Sequence, residues 1–307
     1  MADFGLQGLP ADAEGGDLLS RYQAVLELLP EAFSTVWIED HLQFEARPVM
    51  EGWTLLTYLA ALHPRFRFGH LVLSQSYRNP ALLAKMAATL QHLTGGRYLL
   101  GIGAGWHEEE YRAYGFDYPT GGVRVQQLAE VITILRTMWT SSAATLHGQW
   151  HDIDGAILVP KPETAIPVMV GTNGPKALAV VAQHADWWNW DGPWEVTYRR
   201  PYELLRTRCE EIGRPFEEIT LTAGIPVWLP DDATVFKPTY EHRYYPGQVF
   251  GVLGPTPHDV IREINVLLDV GVSHFQVGFE DMATLRRFLD EVLPAVADAA
   301  TSTSSRS

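Results

Sequence analysis

Short β-rich runs alternate along the chain with longer stretches in which apolar residues recur every three or four positions. The runs Phe4 to Gln7, Thr35 to Glu39, Phe68 to Leu73, Tyr98 to Ile102, Pro167 to Val170, Asp186 to Trp190, Thr220 to Trp228 and His274 to Phe279 predict eight strands. Between them, Leu83, Met86, Leu90 and Leu93 share one helical stripe. So do Leu128, Val131, Ile132, Leu135, Met138 and Trp139, and later Leu285, Phe288, Leu289, Val292 and Val296. Asn79-Pro80 and Gly174-Pro175 put proline at a first helical position, and Thr256-Pro257-His258-Asp259 approximates a capping box.

Such alternation implies parallel strands joined by right-handed crossovers. Eight units predict an α/β fold of the (β/α)8 TIM-barrel type, although an open doubly wound sheet shares the grammar. Two stretches depart from the repeat. Thr145 to Thr164, with Gly148 and Gly155, predicts a hairpin before the fifth strand, and Pro226 to Pro257 predicts a long loop after the seventh, of the kind that forms lids or binding loops. The expected organisation is one domain over residues 1–300 with a disordered tail at 301–307.

Composition narrows the function. With 46% hydrophobic and 20% charged residues the chain is an ordinary globular one. Its 23 Lys and Arg against 37 Asp and Glu give a net charge of -14, which argues against a nucleic-acid or anionic-membrane binder but leaves room for one local cationic pocket. Cys209 is the single cysteine, so neither an intrachain disulfide nor a thiolate metal cluster is expected. The opening residues have no basic segment followed by an apolar run, and 18 consecutive apolar residues occur nowhere. The expected location is cytoplasmic, with no membrane span.

In a barrel the chemistry sits at the carboxyl ends of the strands. Asp40 and His41 follow the second strand, where an acid could orient an imidazole for proton transfer; a solvated loop histidine fits the same local sequence. Ser74 follows the third strand, where a turn role is the plainer alternative. Gly101-Ile-Gly103-Ala104-Gly105-Trp106 follows the fourth, where glycines let a flat ligand approach the backbone. It imitates a dinucleotide fingerprint, but Trp106 replaces the last glycine and the motif is not on a first strand, so a nicotinamide fold is disfavoured. The acidic run Glu108 to Glu110 reads as a solvated helix start. Gly171-Thr172-Asn173-Gly174 opens a helix and could cradle a phosphate, or simply cap it. Trp188, Asn189 and Trp190 could wall a substrate pocket or belong to the core. No metal site is expected; in particular His147 and His151 stand in a hairpin context.

Together these stretches resemble the luciferase-like monooxygenase superfamily, which includes bacterial luciferase and the oxidoreductases dependent on coenzyme F420. The resemblance is carried by Thr35-Val-Trp-Ile-Glu-Asp-His41, Arg78-Asn-Pro-Ala-Leu-Leu-Ala through Leu93-Thr-Gly-Gly-Arg97, Leu100-Gly-Ile-Gly-Ala-Gly-Trp106, Gly121-Gly-Val-Arg124, Pro160-Lys-Pro162, Val170-Gly-Thr-Asn-Gly-Pro-Lys176, Ala185-Asp-Trp187 and Gly254-Pro-Thr-Pro257. It implies a barrel, often dimeric, with F420 or FMN over its mouth. By position, Asp40 and His41 would face the cofactor ring and substrate as catalytic groups, and Leu71-Val72 falls where a non-prolyl cis bond is expected behind the ring. Ser74 would lie near the ring, Gly103, Ala104, Gly105 and Trp106 along the cofactor's side chain, and Gly171 to Gly174 at its phosphate. The expected activity is hydride transfer between F420 and a small organic substrate. An FMN-dependent monooxygenase and a non-catalytic cofactor-binding barrel are the alternatives. Two departures are Leu28 to Thr35, where a glutamate and a glycine usually end the first helix, and Trp106, where some F420 enzymes carry an acid.

Overall fold

A computed structural model describes residues 2–44, 47–241 and 248–296, so the expected tail at 301–307 and residues 242–247 of the long loop lie outside the described residues. Eight strands form the main sheet: β1 (Asp3–Gln7), β2 (Phe33–Ile38), β3 (Arg67–His70), β4 (Tyr98–Gly103), β5 (Val168–Gly171), β6 (Trp187–Asp191), β7 (Thr220–Val227) and β8 (Val272–Phe279). Their order is β3-β2-β1-β8-β7-β6-β5-β4, and β4 also pairs with β3, so the sheet closes on itself as a (β/α)8 barrel. The open-sheet alternative is thereby excluded.

Helices α1 (Leu18–Leu28), α2 (Gly52–Leu62), α3 (Pro80–Leu93), α4 (Glu108–Ala113), α5 (Gly121–Thr140), α6 (Pro175–His184), α7 (Arg199–Ile212), α8 (Pro257–Asp269) and α9 (Met282–Arg287) fall between or after the strands. The stripe predicted on α5 is its buried face, Leu128, Val131, Ile132, Leu135, Met138 and Trp139. Asn79 caps α3 by accepting from the Ala81 and Leu82 amides at 3.0 and 3.1 Å, and Thr256 caps α8 by accepting from Asp259. Each such cap stabilises its helix by about 1 kcal/mol.

The predicted hairpin is present as Ala144–His147 paired with Asp152–Ala156. The predicted long loop carries structure of its own, the antiparallel pair Thr239–Glu241 and Val249–Gly251. One predicted strand is shorter: β3 ends at His70, the Leu71-Val72 peptide is cis, and Leu73–Ser74 then pairs with Ile102 and Gly103.

Contacts group the chain into two compact units of interleaved segments. Among the described residues, the first comprises residues 2–37, 189–203, 220–241 and 248–296, and the second residues 38–44, 47–188 and 204–219. Within the first, Phe4, Phe33, Phe275, Phe279 and Phe288 form an aromatic core, with ring centroids 5.6 Å apart for Phe4 and Phe275 and 5.3 Å for Phe279 and Phe288. Within the second, the His70 ring stacks on Trp53 at 5.2 Å, and its Nδ1 lies 3.1 Å from the Tyr98 hydroxyl. Burial, and secondarily the Arg78 charge, pushes His70 down to about 3, so it is a neutral packing element.

Candidate active site

All of the chemistry described next lies in the second unit, at the carboxyl ends of β2, β3 and β4. Asp40 is buried, and its carboxylate accepts both Arg78 guanidinium nitrogens, at 2.9 and 2.8 Å, and the Ser74 amide at 3.0 Å. Arg78 also bonds Glu51, which caps α2 by accepting from the Trp53 and Thr54 amides. Burial works against the Arg78 charge, but the hydrogen bonds and charges of Asp40 and Glu51 more than offset it. This bidentate cluster ties the loop after β2 to the loop after β3. Arg78, with 11% of its side chain exposed, is the brace between them.

The acid that holds His41 is therefore not its neighbour Asp40. It is Glu110, on α4, whose Oε2 lies 3.1 Å from His41 Nδ1. The Tyr77 hydroxyl donates to the same oxygen at 2.7 Å, and the Leu42 and Gln43 amides donate to Oε1. The Glu110 side chain is 1% exposed. Burial alone would raise its pKa, but the hydrogen bonds from His41, Tyr77 and Gln43 outweigh that and bring it down to about 2. With Glu110 ionised, His41 Nδ1 carries a proton and donates it, which leaves Nε2 as the ring atom for proton exchange. Tyr77 is held protonated, raised first by burial and then by Glu110.

Aromatic rings surround His41 edge-on, Phe44 at 5.0 Å and Trp106 at 5.3 Å. A small open pocket of about 60 Å³ lies beside them, lined by Asp40, His41, Leu71, Val72, Ser74 and Trp106, among others. The structure thus brings the predicted catalytic pair, the Leu71-Val72 cis peptide, Ser74 and Trp106 to one place. Gly105 also lines the pocket, at φ +77°, where an added Cβ would meet the Tyr111 hydroxyl at 1.7 Å; that hydroxyl bonds Ser74. Gly103 and Gly171 seat Val72, since a Cβ on either would approach its methyls at 2.9 and 3.1 Å. Ala104 is half-buried between Gly103 and Gly105.

The loop Gly171 to Gly174 leads into α6. The Gly174 amide donates to Thr172 Oγ1 at 3.3 Å, and Asn173 lies between them. Neither Gly174 nor Thr120, which precedes α5, makes a side-chain capping bond, and Lys176 and Gly122 line one open pocket between these helices. Helix starts without a side-chain cap, beside a lysine, fit an anionic phosphate. Trp188 is fully buried and donates to the Thr172 carbonyl at 2.8 Å, so it belongs to the core rather than to a pocket wall. Asn189 and Trp190 lie in the first unit, Asn189 donating to Thr222 and Gln276 and Trp190 resting against Phe250.

Sequence reasoning missed Glu110, Tyr77 and Tyr111. The Glu108 to Glu110 run was expected to be solvated, whereas Glu110 is buried. His41, His107 and Glu110 place their ligand atoms within 4.8 Å of one another, a set able to hold a metal. Glu110, however, already accepts bonds at both oxygens, an arrangement suited to proton handling.

Residues 24–270 match the profile of the family described as luciferase-like monooxygenase, and the chain belongs to that family. It is 33% identical over 175 residues to an uncharacterized protein of Mycobacterium tuberculosis, an alignment covering 56% of this chain and 59% of the relative's length. It is 29% identical over 300 residues to the F420-dependent glucose-6-phosphate dehydrogenase of Nakamurella multipartita, covering 85% of this chain and 88% of that one. Among solved structures, an F420-dependent secondary alcohol dehydrogenase in complex with an F420-acetone adduct superposes with a TM-score of 0.76 at 18% identity, over 96% of this chain and 99% of the other. That likeness concerns the fold. Among the described residues no helix is long and apolar enough to cross a membrane.

Proposed function

We propose that this chain is an F420-dependent oxidoreductase that exchanges a hydride with a small organic substrate. The observation that carries the reading is His41, held through Nδ1 by the ionised Glu110 with an open pocket beside it. The Nakamurella relative, by its name an F420-dependent enzyme, supports the choice of F420 over FMN.

Leu71, Val72 and Ser74 would lie against the cofactor's ring, Gly103, Ala104, Gly105 and Trp106 along its side chain, and Gly171 to Gly174 with Lys176 at its phosphate. Bound F420 supplies or accepts the hydride. Adding a hydride to a carbonyl leaves an alkoxide, and His41 Nε2 delivers the proton that this oxygen needs, or removes it in the reverse direction. Glu110 fixes the tautomer and stabilises the imidazolium. Asp40, locked to Arg78 and the Ser74 amide, holds the two loops in register. Phe44 and Trp106 exclude water from the imidazole.

The same proposal takes residues 1–300 as one domain, the location as cytoplasmic and the assembly as a homodimer. Exposed Tyr58 and Leu62 on α2, with Leu82 and Leu93 on α3, supply apolar surface for the dimer. Light scattering on the purified chain tests it, a monomer mass at all concentrations counting against it.

For the activity, the chain is mixed with reduced F420 and a panel of carbonyls and activated alkenes, and with oxidised F420 and a panel of alcohols, while the deazaflavin absorbance is followed. Turnover that His41→Ala removes supports the reading. No turnover with any donor or acceptor favours the non-catalytic binding barrel instead.

A further inference from the structure

The second unit holds a larger open pocket, of about 410 Å³, that the chemistry above does not use. That volume is in the range of small-molecule sites. It is lined by the residues leading into α3, by the turn after α4, by α5 and by the tip of the 144–156 hairpin, and Tyr77 lines both this pocket and the one beside His41. One acid fastens the hairpin tip there. Glu130, on α5, accepts from the Gln149, Trp150 and His151 amides and lies 2.9 Å from His151 Nδ1, which holds His151 in the pocket wall.

The charges in the lining do not suit an anion. Arg78 is present, but its guanidinium is taken up by Asp40 and Glu51, no lysine accompanies it, and Asp117 is exposed at the edge. What the pocket offers instead is a pair of carboxamides. Gln75 is 2% exposed and donates from Nε2 to Ser76 Oγ at 2.6 Å and to Gln127 Oε1 at 3.2 Å. A pair joined in this way has used one NH2 group and one carbonyl, so it keeps one acceptor, Gln75 Oε1, and one donor, Gln127 Nε2. Neither atom makes a hydrogen bond among the described residues. Asn79 adds a second donor, because its Oδ1 is occupied in capping α3 and its NH2 group is left. Tyr77 and Phe116, with ring centroids 4.8 Å apart, supply aromatic surface. A neutral, flat group that gives one hydrogen bond and accepts another satisfies the acceptor, the donors and the rings together, whereas a carboxylate has no hydrogen to give Gln75 Oε1.

We propose that this pocket binds a small aromatic carboxamide, the ligand's N–H donating to Gln75 Oε1 and its carbonyl accepting from Gln127 Nε2. The inference does not rest on the oxidoreductase reading, since no residue it uses as a ligand contact is assigned to cofactor or hydride chemistry.

The test uses the purified chain without cofactor, labelled with 15N at the glutamine side chains, so failure of F420 to bind leaves it intact. The Gln127 NH2 resonances are assigned by their loss in Gln127→Met, a substitution at a half-buried helix position that keeps length and helix propensity. Benzamide, benzoate and cyclohexanecarboxamide are titrated in, the first two sharing a shape and differing in charge, the first and third sharing the amide and differing in the ring. Affinities are read by saturation transfer to the ligand's own protons. Benzamide is expected to shift the Gln127 resonances saturably. Benzoate and the Gln127→Met chain should each show binding weakened about tenfold, the factor for one hydrogen bond, and cyclohexanecarboxamide should bind about fivefold more weakly than benzamide for want of a flat face. Gln127 resonances that benzamide does not move, benzoate or cyclohexanecarboxamide binding as tightly as benzamide, or a folded Gln127→Met chain that binds benzamide unchanged would overturn the proposal. Should Gln127→Met fail to fold, Gln127→Glu, which turns the donor into an acceptor, takes its place with the same expected loss.

Discussion

Replacing Glu110 by Gln removes one charge and keeps the shape. In the native site Glu110 accepts from His41 Nδ1 and the Tyr77 hydroxyl at one oxygen and from two backbone amides at the other. A glutamine can keep its carbonyl on the two amides, but its NH2 group then points at donors, so Tyr77 must rotate and His41 must move its proton to Nε2. The lowering of Glu110 from 4.5 to about 2 corresponds to about 3 kcal/mol favouring its ionised form in the folded chain. Because the folded pKa is depressed, that stability is fully present above pH 4.5 and is lost as the pH falls towards 2. Near pH 3 about 1 kcal/mol remains. Urea unfolding of the native chain and of Glu110→Gln, at pH 7 and at pH 3, measures both numbers. Glu110→Gln is expected to be less stable by about 3 kcal/mol at pH 7, with the gap shrinking to about a third at pH 3. Equal stability at pH 7, or a gap that does not change with pH, would refute the assignment of an ionised, hydrogen-bonded Glu110.

Other expectations can be checked singly. His41→Ala should lower the rate constant for hydride exchange by about 10²–10⁴-fold while leaving the dissociation constant for F420 within a few-fold, as read by fluorescence titration. Arg78→Met leaves the buried Asp40 carboxylate without its cation and should cost about 3–5 kcal/mol in chemical denaturation, with Arg78→Lys in between because a lysine cannot bind bidentately. Gly103→Ala places a methyl 2.9 Å from Val72 and should destabilise by about 1–3 kcal/mol. A Gly103→Ala chain of native stability and F420 affinity would show that Val72 is not seated there.

The barrel was legible because its signals are long and local. Eight apolar runs, the helical stripes and proline-marked starts each need only a window of ten or twenty residues, and the hairpin over 145–164 announced itself by its glycines. The third strand was read through to Leu73 because its apolar run is continuous, and nothing in the residue types marks the break after His70. At the site, Asp40 and His41 were found at a strand end, whereas the acid that serves His41 was not. Glu110 sits in a six-residue helix, too short for a periodicity to separate it from the exposed Glu108 and Glu109. The one hint is Tyr111, an aromatic residue directly after the acidic run, which is buried with Glu110. The role of Arg78 is hidden for a related reason: its partner Asp40 is 38 residues away, and only the pairing of β2 with β3 brings the two loops together.

The central claim is that the pocket beside His41 takes F420. Equilibrium titration of the purified chain with oxidised F420 and, separately, with FMN, followed by fluorescence, tests it most directly. The account predicts micromolar binding of F420 and much weaker binding of FMN. Tight FMN binding with weak F420 binding would move the chain to the flavin-dependent monooxygenases, and binding of neither would contradict the cofactor site itself.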